Sequence, residues 1–143
     1  MKKNINSFEK IIGIKFNNQN LLLQSLTHKS NNPLNNNEKL EFLGDRVLGL
    51  VISKNLYKLF PKDKEGDLDK KLASLVNKKR CVEISNYLSL KDYVLVGDNK
   101  DNSKIENKIL ADTVESLVGA LYLDQGLEVA EKFILNYWKR FLN

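Results

Sequence analysis

Two short runs in this chain set acids into otherwise apolar helical sequence: Glu38-Lys39-Leu40-Glu41-Phe42-Leu43-Gly44-Asp45 and Ile109-Leu110-Ala111-Asp112-Thr113-Val114-Glu115. At about 100° per residue, Glu38, Glu41 and Asp45 fall within roughly 60° of one another on a helix, and so do Asp112 and Glu115. Each helix therefore carries a stripe of carboxylates.

The neighbours of the first stripe, Leu40, Phe42, Leu43, Val47, Leu48, Leu50, Val51 and Ile52, leave almost no polar side, which is the pattern of a buried helix. Ionised carboxylates facing a core cost several kcal/mol each unless basic side chains or a metal compensate. The plainer alternative is a solvent face with ordinary salt bridges. That alternative suits one acidic pair better than two stripes on two helices that both look buried, and the balance turns toward a metal site.

With 143 residues, 42% hydrophobic and 29% charged, the chain has the size and composition of one compact domain, expected to span residues 1–143. Acids or lysines interrupt every apolar window well before membrane-spanning length, and Met1-Lys2-Lys3 is followed by Asn4-Ile5-Asn6-Ser7 rather than by an apolar signal core. No membrane association is expected, and a cytoplasmic location is. The single cysteine, Cys81, excludes an internal disulfide and a cysteine-built zinc site; a reduced, partly buried thiol is expected. A formal charge of +5 favours polyanionic partners without naming one.

The pattern along the chain predicts an all-α fold. Short helices are expected from Ser7 to Ile12, stopped by Gly13, and after Asn17-Asn18 through Leu26. An asparagine-rich loop, Asn31 to Asn37, leads to the acidic helix. That helix should run from Glu38 to Leu59 and end before Pro61. Leu68, Leu72, Leu75 and Val76 mark the next helix, capped by Asp67, and Val82, Ile84 and Leu88 mark another. Tyr93 to Val96 has strand character but no partner run, so an extended connector is expected. Ser103 to Glu106 has the form of a capping box opening the second acidic helix, which ends near Gly126. A last amphipathic helix should occupy Glu128 to Leu142.

Glycine inside a helix costs up to about 1 kcal/mol relative to alanine. Gly49 lies one turn after Asp45 and Gly119 one turn after Glu115. Helix packing alone would explain them, and so would close approach of the two acidic stripes. In the second case Glu41, Asp45, Asp112 and Glu115 converge as an all-oxygen set suited to Mg²⁺ or Mn²⁺, because four such charges cannot all stay ionised without a cation. An acidic Mg²⁺ site in a basic protein points to a phosphate substrate. His28 is the only histidine, which excludes a histidine-pair ribonuclease mechanism and leaves a hydrogen-bonded structural role for it. No Walker-type loop or dinucleotide fingerprint is present, so no nucleotide cofactor is expected.

The run EKLEFLGDRVL, Glu38 to Leu48, closely resembles the signature of the ribonuclease III family, and LADTVESLVG, Leu110 to Gly119, resembles that family's second acidic helix. Thr27-His28-Lys29-Ser30 and Glu65-Gly66-Asp67-Leu68 are similar in order and spacing, so the resemblance spans nearly the whole chain. It implies the helical bundle of a ribonuclease III endonuclease domain. The implied activity is Mg²⁺-dependent cleavage of double-stranded RNA, in rRNA or mRNA precursors, leaving 5′-phosphate and 3′-hydroxyl ends. Glu41, Asp45, Asp112 and Glu115 match the family's metal-binding acids, with Asp45 and Glu115 as catalytic candidates and Glu115 the one most directly tied to hydrolysis. Glu38 and Glu65 match acids at the rim of its catalytic valley. Phe42 matches the aromatic residue that plugs into the partner subunit of a homodimer.

Two positions depart from the pattern: Asp98 stands where bacterial relatives often carry glutamate, and Arg46 where a small residue is usual. Bacterial relatives continue into a double-stranded-RNA-binding domain beyond the position of Asn143, and the motifs resemble that long form more than the compact branch without it. An excised catalytic domain is therefore expected, with weaker and more salt-sensitive RNA binding. Lys70, Lys71, Lys78, Lys79 and Arg80 are candidates for phosphate contacts, against the alternative of a solvated helix face. The competing functional class is a non-catalytic RNA-binding or ribosome-associated scaffold, which loss of acids would mark; all four acids are present.

Overall fold

Apolar residues at helical spacing become helices throughout the computed structural model, which describes residues 3–97 and 105–143. The order is α1 (Ile5–Ile12), α2 (Gln19–Ser25), α3 (Glu38–Leu59), α4 (Glu65–Val76), α5 (Lys78–Tyr87), α6 (Asn107–Gln125) and α7 (Leu127–Trp138), with 3-10 turns at Leu90–Asp92 and Lys139–Phe141. Among the described residues the only strand-like feature is one parallel bridge between Thr27 and Leu95, so Tyr93 to Val96 is the expected connector. The all-α expectation holds.

Local signals set most boundaries. Asn18 accepts hydrogen bonds from the backbone N–H groups of Asn20 and Leu21 and so caps α2, and Asn77 caps α5 through the N–H of Arg80. Gly13 stops α1 with φ +71°, in the left-handed region that favours glycine. The acidic helix α3 has its expected limits. Helix α4 starts earlier than Asp67, at Glu65. Helix α6 starts later than the Ser103 box suggests, at Asn107, with Glu106 still extended; residues 98–104, including Asp98, lie outside the described residues. Helix α7 gives way at Lys139 to a 3-10 turn rather than running to Leu142.

At the centre, α3 crosses α6 with backbone against backbone. A Cβ on Gly44 would sit 1.6 Å from the carbonyl oxygen of Glu115, and one on Gly119 would sit 2.2 Å from that of Leu40. The close approach expected of the glycines is real, but on α3 the residue that permits it is Gly44. Gly49 meets nothing within 4 Å. Around this crossing Leu48, Ile52, Leu56, Leu110, Leu117 and Leu121 are fully or almost fully buried.

Helix α6 is buried along most of its length, and its buried hydroxyls are satisfied: Thr113 donates to the carbonyl of Ile109 and Ser116 to that of Ser25. Buried Trp138 donates its indole N–H to the carbonyl of Leu75, tying α7 to α4. Asn37 does not cap α3 with its side chain; its amide donates to the Ser25 carbonyl, which pins the start of the acidic helix to α2.

Helix α3 is not buried all round, contrary to its apolar composition. Phe42, Leu50 and Tyr57 are 62%, 56% and 75% exposed and share one side of the helix, which no described residue covers. The acids occupy a neighbouring face.

Gly44→Ala should destabilise the fold by about 3 kcal/mol, because the added methyl meets backbone that cannot yield. Gly49→Ala should be neutral or stabilising by up to about 1 kcal/mol through helix propensity. Urea denaturation of the two variants checks the contrast, and equal effects would contradict the crossing.

Candidate metal centre

The Gly44–Gly119 crossing brings the two acidic stripes face to face. One carboxylate oxygen each from Glu41, Asp112 and Glu115 lie within 4.8 Å of one another. Asp45 stands at the edge of this group, joined to Glu115 by a hydrogen bond between their carboxyls, and Glu41 is similarly joined to Asp112. All four expected ligands are therefore neighbours.

Electrostatically the site is under strain. Glu115 is pushed up to about 9 from the ordinary 4.5, chiefly by burial and then by the hydrogen-bonded, charged Asp45. Glu41 is pushed up to about 7, again by burial first and then by the charge of Asp112, with Lys108 pulling the other way. Yet the acids do not face the core: Asp45 is 53% exposed and the rest are half-buried, so the stripes line a surface cleft rather than the interior.

Among the described residues few cations offset this charge. Lys108 Nζ lies 2.6 Å from Asp112, Arg46 lies 3.4 Å from Asp45, and Lys29 lies 3.8 Å from the rim residue Glu38. Glu115 has no ion pair among the described residues. An all-oxygen set with protons held above their usual range is the donor chemistry of a hard divalent cation. Octahedral Mg²⁺ holds oxygens about 2.1 Å away, hence at most about 4.2 Å apart, so the present spread would contract only slightly. The residues fit such an ion.

Two clefts flank the acids. One of about 410 Å³ is lined by His28, Lys29, Glu38, Glu41, Lys108 and Asp112, with others. The second, of about 280 Å³, is lined by Lys78, Cys81, Lys108, Asp112 and Glu115 among others. His28 has the expected hydrogen-bonded role, its Nδ1 paired with the Ser30 hydroxyl at 2.8 Å and accepting from the Ser30 N–H, but it also lines the first cleft. Cys81 is buried rather than partly so, and burial, followed by the charge of Glu115, pushes its thiol up to about 12.

Other candidates separate. Glu65, at the start of α4, is exposed and lines neither of the two clefts. Of the basic residues, Lys71 pairs with Asp63 over the Phe60 ring, and Arg80 donates to the Ser74 carbonyl while lying over Phe141. Both are held by the fold. Lys78 reaches a cleft wall, and Lys70 and Lys79 are exposed. Arg46 is more than added surface charge: its guanidinium lies 4.2 Å from the Phe42 ring centroid while contacting Asp45. Sequence reasoning missed Lys108, although its position four residues before Asp112 was the available signal.

Comparison with known proteins agrees with this geometry. A family model described as Ribonuclease-III-like matches residues 18–141. A Ribonuclease 3 from Pelagibacter ubique (strain HTCC1062) is 54% identical over 143 residues, covering 99% of this chain and 64% of its own. A Ribonuclease 3 from Campylobacter jejuni subsp. jejuni is 44% identical, covering 93% and 60%. The chain thus spans less than two thirds of these relatives' length. A solved nuclease domain of ribonuclease III from Campylobacter jejuni, described for structural flexibility in a region involved in dimer formation, superposes with a TM-score of 0.92 at 42% identity, covering 96% of this chain and 97% of its own.

Carboxyls held above their unfolded values keep protons that the unfolded chain gives up, so their contribution to stability falls as pH rises. In chelator, the melting temperature should drop as pH climbs from about 4.5 through 7 toward 9, the window set by Glu41 and Glu115. Mg²⁺ should flatten this slope, and Glu115→Gln should remove most of it. Calorimetry across that range checks the expectation; a slope unaffected by either change would contradict it.

Proposed function

The chain belongs to the ribonuclease III family, and on that premise we propose that it is a Mg²⁺-dependent endonuclease domain hydrolysing double-stranded RNA. The observation that carries this reading is the convergence of carboxylate oxygens of Glu41, Asp112 and Glu115 to within 4.8 Å of one another, with Asp45 beside Glu115. Residues 1–143 act in it as a single catalytic unit, at work on structured precursor RNA in the cytoplasm. No described helix is long and apolar enough to cross a membrane.

Mg²⁺, with Mn²⁺ as a substitute, would be held by Glu41, Asp112, Glu115 and Asp45 and would supply polarisation of the phosphoryl oxygen and activation of water. Glu115, the most perturbed of the four, is oriented by Asp45 through the hydrogen bond they share. Glu41 and Asp112 form the opposite wall, and Glu38 and Glu65 stand further out along the RNA. In the reaction a water oxygen bonds to phosphorus, the bond from phosphorus to the 3′-oxygen breaks, and that oxygen takes up a proton. A 5′-phosphate and a 3′-hydroxyl result. The task of the four carboxylates is to place charge and orient water.

Cleavage of both strands calls for two such sites, and the uncovered side of α3 suits a homodimer. Phe42 at its head would insert into the partner, and the exposure of Leu50 and Tyr57 on the same side supports this reading.

Glu115→Gln should lower cleavage by about 10³-fold or more, roughly 4 kcal/mol of barrier, with circular dichroism and oligomeric state unchanged. Unchanged turnover would overturn the assignment. If the wild type binds double-stranded RNA but never cleaves it, with or without Mg²⁺, the scaffold class replaces the nuclease. Phe42→Asp should shift the protein from dimer to monomer in sedimentation; a dimer that persists would remove Phe42 from the interface.

A further inference from the structure

Among the described residues the cation nearest the acid cluster is Lys108. Lys108 Nζ is 2.6 Å from Asp112, while its charge also acts on Glu41 and Glu115. Asp112 is 24% exposed and Lys108 67%, so the ammonium closes the open face of a half-buried group from the solvent side. Lys108 is also the cation that lines both clefts beside the acids. It therefore stands on the ridge between them, beside the acids.

A charge so placed competes with any divalent ion for Asp112. Held against the same carboxylate the two repel each other, so each weakens the binding of the other. Release is easy: Lys108 is exposed, its stem is flexible, and an exposed ion pair is worth little in itself. The freed ammonium remains on the ridge, close to where phosphate oxygens would lie.

We propose that Lys108 is an exchangeable counter-ion: it holds the acid cluster together in the metal-free protein, yields Asp112 to the divalent cation, and passes to a substrate phosphate. The inference rests on the metal-site and nuclease reading above. It assigns Lys108 a positioning role through Asp112 before the exchange and a phosphate contact after it.

The opposite signs of its two effects make the idea testable. Mg²⁺ titration of the intact protein without RNA, followed by calorimetry, should show Lys108→Met binding Mg²⁺ about three- to tenfold more tightly than the wild type, since a competing positive charge is gone. At saturating Mg²⁺ the same variant should cleave double-stranded RNA at least tenfold more slowly, and Lys108→Arg should restore much of the rate. A merely structural lysine would not tighten metal binding while slowing turnover. Mg²⁺ affinity that is unchanged or weakened overturns the inference, and so does full turnover of Lys108→Met at saturating Mg²⁺. Wild-type protein that cleaves no double-stranded RNA would count against the nuclease reading, which the RNA-free Mg²⁺ titration does not use.

Discussion

Everything at the acidic cleft depends on two backbones touching. Gly44 and Gly119 let α3 and α6 approach until the carbonyls of Glu115 and Leu40 occupy the space where side chains would begin. At an ordinary interaxial distance of 8–10 Å, set by intervening side chains, Glu41 and Asp45 would stand too far from Asp112 and Glu115 to share hydrogen bonds. The contact that gives the bundle its centre is thus the one that forces like charges together. Burial around it then raises Glu115 above Glu41, because Glu115 projects from the more deeply buried helix.

This arrangement trades stability for a binding site. A carboxylate cluster that holds protons near or above neutrality lowers the free energy of folding across the working pH range, and an ion that binds only the folded state recovers it by mass action. The surrounding polar groups lack that tension. Thr113, Ser116 and Asn37, all buried, each have a partner, and no described buried side-chain polar atom lacks one. Strain is confined to the cleft, where a ligand can relieve it.

Much of this was legible in the residues. Helix α3 has the span its spacing and Pro61 suggest, and spacing puts the acids of each helix on one face, while the meeting of the two faces rests on the helix glycines and on the resemblance. Rotation about a helix axis follows from sequence, but height along a partner helix does not, which is why Gly49 was read in place of Gly44. The uncovered side of α3 was invisible for a different reason: apolar residues facing a partner read the same as apolar residues facing a core, and only the resemblance singled out Phe42. Lys108 escaped because a surface lysine four residues from an acid is an everyday helix pair until the acid is known to belong to a cluster. The start of α6 was misplaced because Ser103 and Glu106 have capping-box spacing, while Ile105 and Glu106 remain outside the helix.

Helix α3 carries two surfaces at once, the acids and the exposed stripe, and Arg46 joins them. Its guanidinium rests on the Phe42 ring and contacts Asp45, so the aromatic side chain and the carboxyl that orients Glu115 share one cation. If Phe42 enters a partner subunit, that ring face is needed elsewhere and the guanidinium must move, with Asp45 losing its local countercharge as a consequence. An unaccompanied Asp45 draws a divalent cation more strongly. Because the glycine crossing leaves α3 no room to slide against α6, a change at Phe42 is passed on by side chains rather than absorbed by the backbone. The exposed aromatic stripe and the acid cluster are in this way joined through Arg46, within one helical turn of α3.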